Sequence, residues 1–288
     1  MTESYVVHHE PELDAPVLLI ALQGWVDAGM AMDQAINAIT SQSPPEVLVD
    51  FNADHYIDYR ARRPILEMSD GVLANLRWPK IELCHLQDLD GNDILLLRGY
   101  EPDSNWRDFT SAVVELAHQF GVTRGVTLGA YPSTVPHTRP TKLTSTATTS
   151  MLIDPTAVVP GRIELQGGAV TALEFGLADA GIPAMGIWAQ VPHYAASLEY
   201  PDAAVSLLRA FHTRVNYRFD TKKLEADALT TRTQIDELIG RNTERRNLVV
   251  QLEKMHDEFG LAGDLPTGDE LAADFQDFLR ETNPDEPT

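Results

Sequence analysis

Hydrophobic positions along the chain alternate between two periods. Val17 to Leu22 is a continuous apolar run, Gln23 to Gly29 is a polar turn bounded by glycine, and Met32, Ala35, Ile36 and Ile39 then recur at three- and four-residue spacing. The run has the length of a buried strand and the spacing marks one face of a helix, so this stretch predicts strand, turn and helix in succession. Ser41 to Pro45 breaks the helix, and Glu46 to Asn52 reads as the next strand. Ala53 to Pro79, with Arg60, Arg62, Arg63, Pro64 and Gly71, holds no steady period. It predicts a long loop with short elements, of a length that often serves function or an interface.

Ile81 to Leu86 and Ile94 to Leu97 flank Asp90-Gly91-Asn92-Asp93, which predicts an antiparallel hairpin. Ser104 to Phe120 predicts a helix capped by Ser104 and stopped by Gly121. Val122 to Leu128 follows as a strand, and the Thr- and Ser-rich run Lys142 to Ser150 reads as extended, because such side chains disfavour a helix. Gly161 to Gln166 is expected as a short strand, Ala169 to Ala180 as a helix closed by Gly181, and Pro183 to Gln190 as a strand. Pro201 then opens a helix from Asp202 to about Phe219, at the position proline tolerates best. This alternation predicts the α/β class: a layered, mostly parallel sheet with helices on both faces.

Beyond Phe219 the strand pattern stops. Leu224, Ala228, Ile235, Leu238, Val249, Leu252 and Phe259 keep a helical spacing that Thr231, Asn242, Arg245 and His256 interrupt. A seam so polar is weak for one long helix. With Gly240 and Asn242-Thr243 as stop and start, it predicts a helical hairpin, Lys222 to Ile239 and Thr243 to Phe259. A last helix, about Gly268 to Arg280, and a frayed acidic end complete the reading. The expected division is an α/β core, 1–219, and a helical extension, 220–288.

Charge narrows the partners. Among 288 residues, 43 acidic side chains oppose 22 basic ones for a net charge of −21, a field that repels nucleic acid and anionic membrane surfaces. The N-terminus is polar and acidic where a leader needs a cationic start and an apolar run. The apolar runs fall far short of the roughly 20 residues of a bilayer span, so a soluble, cytoplasmic protein is expected. The single cysteine, Cys84, lies in a strand-like run and reads as a buried, inert thiol.

Candidate chemistry gathers at predicted strand ends. The Gly24 to Gly29 turn has the glycine spacing of a phosphate loop but lacks the lysine and hydroxyl that should follow it. Asp27 reads as a helix cap. A strand-end pocket is expected from Asp27, Tyr131, His137, Arg139, His193 and Tyr194. Histidine with carboxylate there would transfer a proton, and arginine would hold an anionic substrate. In the alternative, His137 and His193 only bond the proline-rich turns around them. Neither GxSxG nor HExxH occurs, no residue is assigned as catalytic, and no cofactor is expected. His8-His9-Glu10 lacks metal-site spacing, so no metal site is expected. Glu174 is a further residue that could reach this region, although an exposed helical position is its more usual place.

The segments Gly24 to Ala31, Gly129 to Pro140, Ala172 to Tyr194 and Tyr200 to Ala204, in this order, resemble the proteasome assembly chaperone 2 family in its bacterial single-chain branch. The resemblance implies an α/β sandwich similar to the phosphorylase and peptidyl-tRNA hydrolase architecture and a homo-oligomer, specifically a homotrimer; it implies no activity. Family members that build proteasomes dock by a tail ending hydrophobic-Tyr-any. This chain ends Asn283 to Thr288 without one, so that docking is not expected. The resulting reading is a non-catalytic oligomeric scaffold or assembly-chaperone-like protein, with a protein partner on residues 220–288. The alternative is a small-ligand binder or a hydrolase- or phosphorylase-like enzyme with a strand-end pocket.

Overall fold

The computed structural model of the chain describes residues 4–259. Ten strands are present: β1 (Tyr5–Val7), β2 (Val17–Gln23), β3 (Glu46–Phe51), β4 (Ile65–Ser69), β5 (Val72–Arg77), β6 (Ile81–Gln87), β7 (Asp93–Tyr100), β8 (Arg124–Ser133), β9 (Leu143–Ala147) and β10 (Ala184–Pro192). The α-helices are α1 (Ala31–Gln42), α2 (Ala53–Tyr56), α3 (Trp106–Gln119), α4 (Ala169–Asp179), α5 (Pro201–Val215), α6 (Lys222–Gly240) and α7 (Thr243–Phe259).

Eight strands form one sheet in the order β1-β3-β6-β7-β2-β8-β10-β9. Its centre, β7-β2-β8-β10, is parallel throughout, and the pairings outside it are antiparallel. Strand β3 also runs with the central four, so the sheet is mostly parallel in direction. Six of the seven residues of β2 are buried, as expected for a strand covered on both faces.

The alternation of β2 sorts the helices into two layers. Val17, Leu19 and Ala21 share one core with α1 and α5, to which Leu224 and Ile235 of α6 add. Leu18, Ile20 and Leu22 face the other core, with α3 and α4. Helix α1 buries the apolar stripe that its spacing foretold, Met32, Ala35 and Ile39, and α3 buries Phe109, Val113 and Leu116 in the other layer.

The α/β class is as the sequence predicts, and the β6–β7 hairpin forms around Asp90-Gly91. Several local expectations are corrected. Ser104 does not cap α3; its hydroxyl bonds the carbonyl of His55, and left-handed Asn105 precedes the helix. Gly161 to Gln166 is irregular, with no neighbouring strand to pair it. Helix α5 stops at Val215 because Asn216 turns left-handed, which sends Tyr217 and Phe219 back onto the core. Strand β1 and the hairpin β4–β5 were hidden, the first by a charged N-terminus and the second by its loop-like composition. The expected helix at Gly268 to Arg280 lies outside the described residues.

Candidate functional site

Helices leave successive central strands on opposite faces, α3 after β7 and α1 after β2, then α4 after β8 and α5 after β10. Where neighbouring parallel strands part their helices in this way, a crevice opens beyond their carboxyl ends. Two such crevices are treated differently here.

The crevice between β8 and β10 is filled. Ser133 and Pro192 end these strands side by side, and the loops beyond them carry most of the residues expected in the pocket. The backbone N–H of His137 donates to the Tyr194 hydroxyl at 2.9 Å, and His137 Nδ1 stands 2.7 Å from the same oxygen. On its other side, Nε2 lies 3.0 Å from Asp236 of α6. Burial explains why the Tyr194 hydroxyl is pushed up to about 12. Arg139 grips α7, with bonds of 2.9 and 2.7 Å to Asp257 and one of 3.2 Å to Glu253. Bonding to Arg139 in turn holds the Asp257 carboxyl down at about 2. Tyr131 bonds Thr144, and His193 packs edge-on against Tyr194. His137, Arg139 and Tyr194 thus fasten the two helices over the strand ends.

The crevice between β2 and β7 is open. Gln23 and Tyr100 are register partners at the strand ends, and beyond them lies a pocket of about 370 Å³. Its walls are Leu22 and Gln23 of β2, the turn from Gly24 to Asp27, Met30, Met32 and Asp33 at the head of α1, and Tyr100. Of the six expected pocket residues, only Asp27 lines it.

Asp27 accepts the amides of Met32 and Asp33 at 2.8 and 3.1 Å, so its carboxylate caps α1. Burial raises its pKa to about 6, a shift that the two amides oppose and the charge of Asp33 reinforces. Asp33 accepts a 2.8 Å bond from Gln23 Nε2. Gly24 is required at φ +119°, and a Cβ there would meet the Arg62 guanidinium at 2.6 Å. Arg62 is turned to Asp103, with Nε at 3.2 Å, and over the Tyr100 ring, 5.0 Å from its centroid. Sequence reasoning missed Trp25, Asp33 and Tyr100 as companions of Asp27. Their proximity depends on the β2–β7 register, which no local signal encodes.

Two further titratable groups are buried. Glu174 is buried, contrary to the exposed place given it, and accepts a 2.8 Å bond from Thr127 while burial raises its pKa. Burial likewise pushes the Cys84 thiol up to about 11. Among the described residues no group of His, Cys, Asp and Glu could hold a metal, and no helix is long and apolar enough to cross a membrane.

A third feature is the hairpin β4–β5, whose strands, among the described residues, pair only with each other and are exposed at every residue. Leu66 stands opposite Leu76, and Met68 opposite Leu73. These four therefore share one face, while Glu67 and Asn75 pair on the other. An alternating hairpin of this kind is built to bury one face. Here Met68 is 64% exposed and Leu73 68% exposed.

These features define a three-layer α/β protein with a helical clasp over the ends of β8 and β10, an open crevice at the ends of β2 and β7 and a bare apolar hairpin. The profile of the PAC2 family matches residues 21–239, and the chain belongs to that family. A Corynebacterium glutamicum protein of unknown function has the same fold with a TM-score of 0.84 and 32% identity, over 88% of this chain and 97% of its own. A proteasome-assembly chaperone homologue of Mycobacterium tuberculosis matches with a TM-score of 0.74 and 30% identity, over 81% of this chain and 99% of its own. An archaeal proteasome activator of Pyrococcus furiosus shares the fold at a TM-score of 0.61 and 16% identity, over 81% and 97%. No curated protein matches the chain.

Proposed function

We propose that this chain is an assembly-chaperone-like scaffold that works as a homo-oligomer, with the β4–β5 hairpin as its contact to a second copy. Membership of the PAC2 family and the likeness to a proteasome-assembly chaperone homologue support the assembly role. The observation that carries the reading is the face formed by Leu66, Met68, Leu73 and Leu76, exposed in the single chain.

A second copy fits this face by charge. Residues 58–80 hold five basic side chains against three acidic ones in a chain whose net charge is −21. The hairpin therefore stands on a basic island within an acidic protein and attracts the acidic surface of another copy. Contact between unlike patches is head-to-tail, which gives a ring where the rotation closes and a filament where it does not; a homotrimer is the ring implied by the resemblance. Covering four half-exposed Leu and Met side chains is worth on the order of 4 kcal/mol before the cost of association.

Light scattering of the purified protein tests the proposal. The expected result is a multiple of 31.8 kDa that falls to one mass unit in Met68→Asp/Leu73→Asp. Leu229→Asp, on the exposed side of α6, is expected to leave the mass unchanged. A wild-type monomer at micromolar concentration, or an oligomer indifferent to the hairpin change, would overturn it.

A further inference from the structure

The open crevice between β2 and β7 has walls of two kinds. Trp25 is 51% exposed at its rim, with Val26 and Met30 beside it. Asp27 and Asp33 stand at its α1 side. The size, about 370 Å³, lies within the usual range for small-ligand pockets. Apolar and aromatic walls with a few convergent polar groups are the usual composition of such a pocket.

The sign of its charge follows from the neighbours. Arg62 lies beside Gly24 of its wall and is held by Asp103 at 3.2 Å and Glu101 at 4.0 Å. Asp33 meets the neutral amide of Gln23, and Asp27 meets backbone N–H groups. Among the described residues neither has a cation as partner. The wall thus carries two carboxyl groups, Asp27 and Asp33, and the one guanidinium beside it is already engaged by two others. An indole at the rim also attracts cations to its face.

We propose that this pocket binds an organic cation, an ammonium or guanidinium carried on a short apolar stem, with Asp33 as the charge partner and Trp25 as the wall against which the stem and head lie. A free amine and a basic side chain of another protein present the same chemistry. An anion would have to displace Asp103 from Arg62 and lie beside Asp33, so the pocket rejects it. The proposal stands apart from the oligomer contact, because the pocket includes no hairpin residue.

The test is a titration of the full chain, followed by the indole N–H resonance of Trp25, assigned by its loss in Trp25→Phe. Butylammonium, 1-butanol and butyrate are matched in length and differ in charge; each is carried through the millimolar range, where such small ligands bind. Butylammonium is expected to shift the resonance saturably, 1-butanol and butyrate are expected not to, and Asp33→Asn is expected to weaken the response about tenfold, or 1.4 kcal/mol. N-acetyl-arginine amide and N-acetyl-lysine amide separate the sources: binding tighter than butylammonium assigns the site to a protein side chain, weaker binding to a free amine. No response to butylammonium by the wild-type chain, an equal response to 1-butanol or butyrate, or an unchanged response in Asp33→Asn would overturn the proposal. The wild-type series decides even where the variant fails to fold.

Discussion

The hydroxyl of Tyr194 lies 2.7 Å from Nδ1 of His137 and also accepts the backbone N–H of that residue. An ionised carboxylate only accepts, so Nε2 donates to Asp236, and a neutral imidazole then accepts the Tyr194 hydroxyl proton at Nδ1. The imidazole, 1% exposed, thus joins the strand-end loop to α6. Tyr194→Phe removes both bonds and strands a buried nitrogen. We expect a loss of about 1–3 kcal/mol in chemical denaturation, with faster hydrogen exchange in α6.

Arg139 acts at the outer end of the same clasp. Its pairs to Asp257 and Glu253 lie near solvent, where such contacts contribute little to global stability. Arg139→Ala is expected to leave the melting temperature nearly unchanged while the last turns of α7 exchange faster. A large drop in melting temperature would contradict this placement.

Asp27 makes stability depend on pH. Its folded pKa of about 6 exceeds the unfolded value near 3.9. Between these values the folded chain keeps a proton that the unfolded chain has lost, so this group's contribution is full below about pH 4 and is lost as pH rises through 6. The shift corresponds to at most about 3 kcal/mol. Asp27→Asn does not titrate. The difference in unfolding free energy between wild type and variant should therefore vary between pH 4 and 7 and be flat above.

Gly29 fixes the turn that carries Asp27. It adopts φ +67°, exchanges backbone bonds with Ala196 and Tyr200, and leaves 2.6 Å between a built Cβ and the Tyr200 side chain. Gly29→Ala is expected to cost about 2–4 kcal/mol, summing left-handed strain and overpacking. Denaturant melts would show it, and a change below 1 kcal/mol would mean that the turn gives way freely.

What the sequence made legible was what is written locally. The apolar run of β2 and the spacing on α1 marked a strand and a helix that pack together, since burial imposes period two on strands and 3.6 on helices. The clasp was legible only as a set of residues. His137, Arg139 and Tyr194 were found because loops at strand ends gather polar side chains, but their partners Asp236, Glu253 and Asp257 lie about a hundred residues away. The crevice was half legible: Asp27 stood out in its turn, whereas Tyr100 joins it through strand register. The hairpin was hidden because Leu66, Met68, Leu73 and Leu76 alternate across a bulge at Glu67/Met68 that shifts the period.

The place of β2 in the sheet bears on how the molecule is made. It is the second strand in the chain, yet it lies between β7 and β8, which end at residues 100 and 133. Translation at about 5–20 residues per second leaves this strand without its second neighbour for roughly 5–20 s. Throughout that interval six residues destined for the interior are held on a nascent chain with unpaired edges, the state most prone to join a neighbouring polysome product. The central sheet is thus completed only after β8 has been made, more than a hundred residues after the strand at its middle.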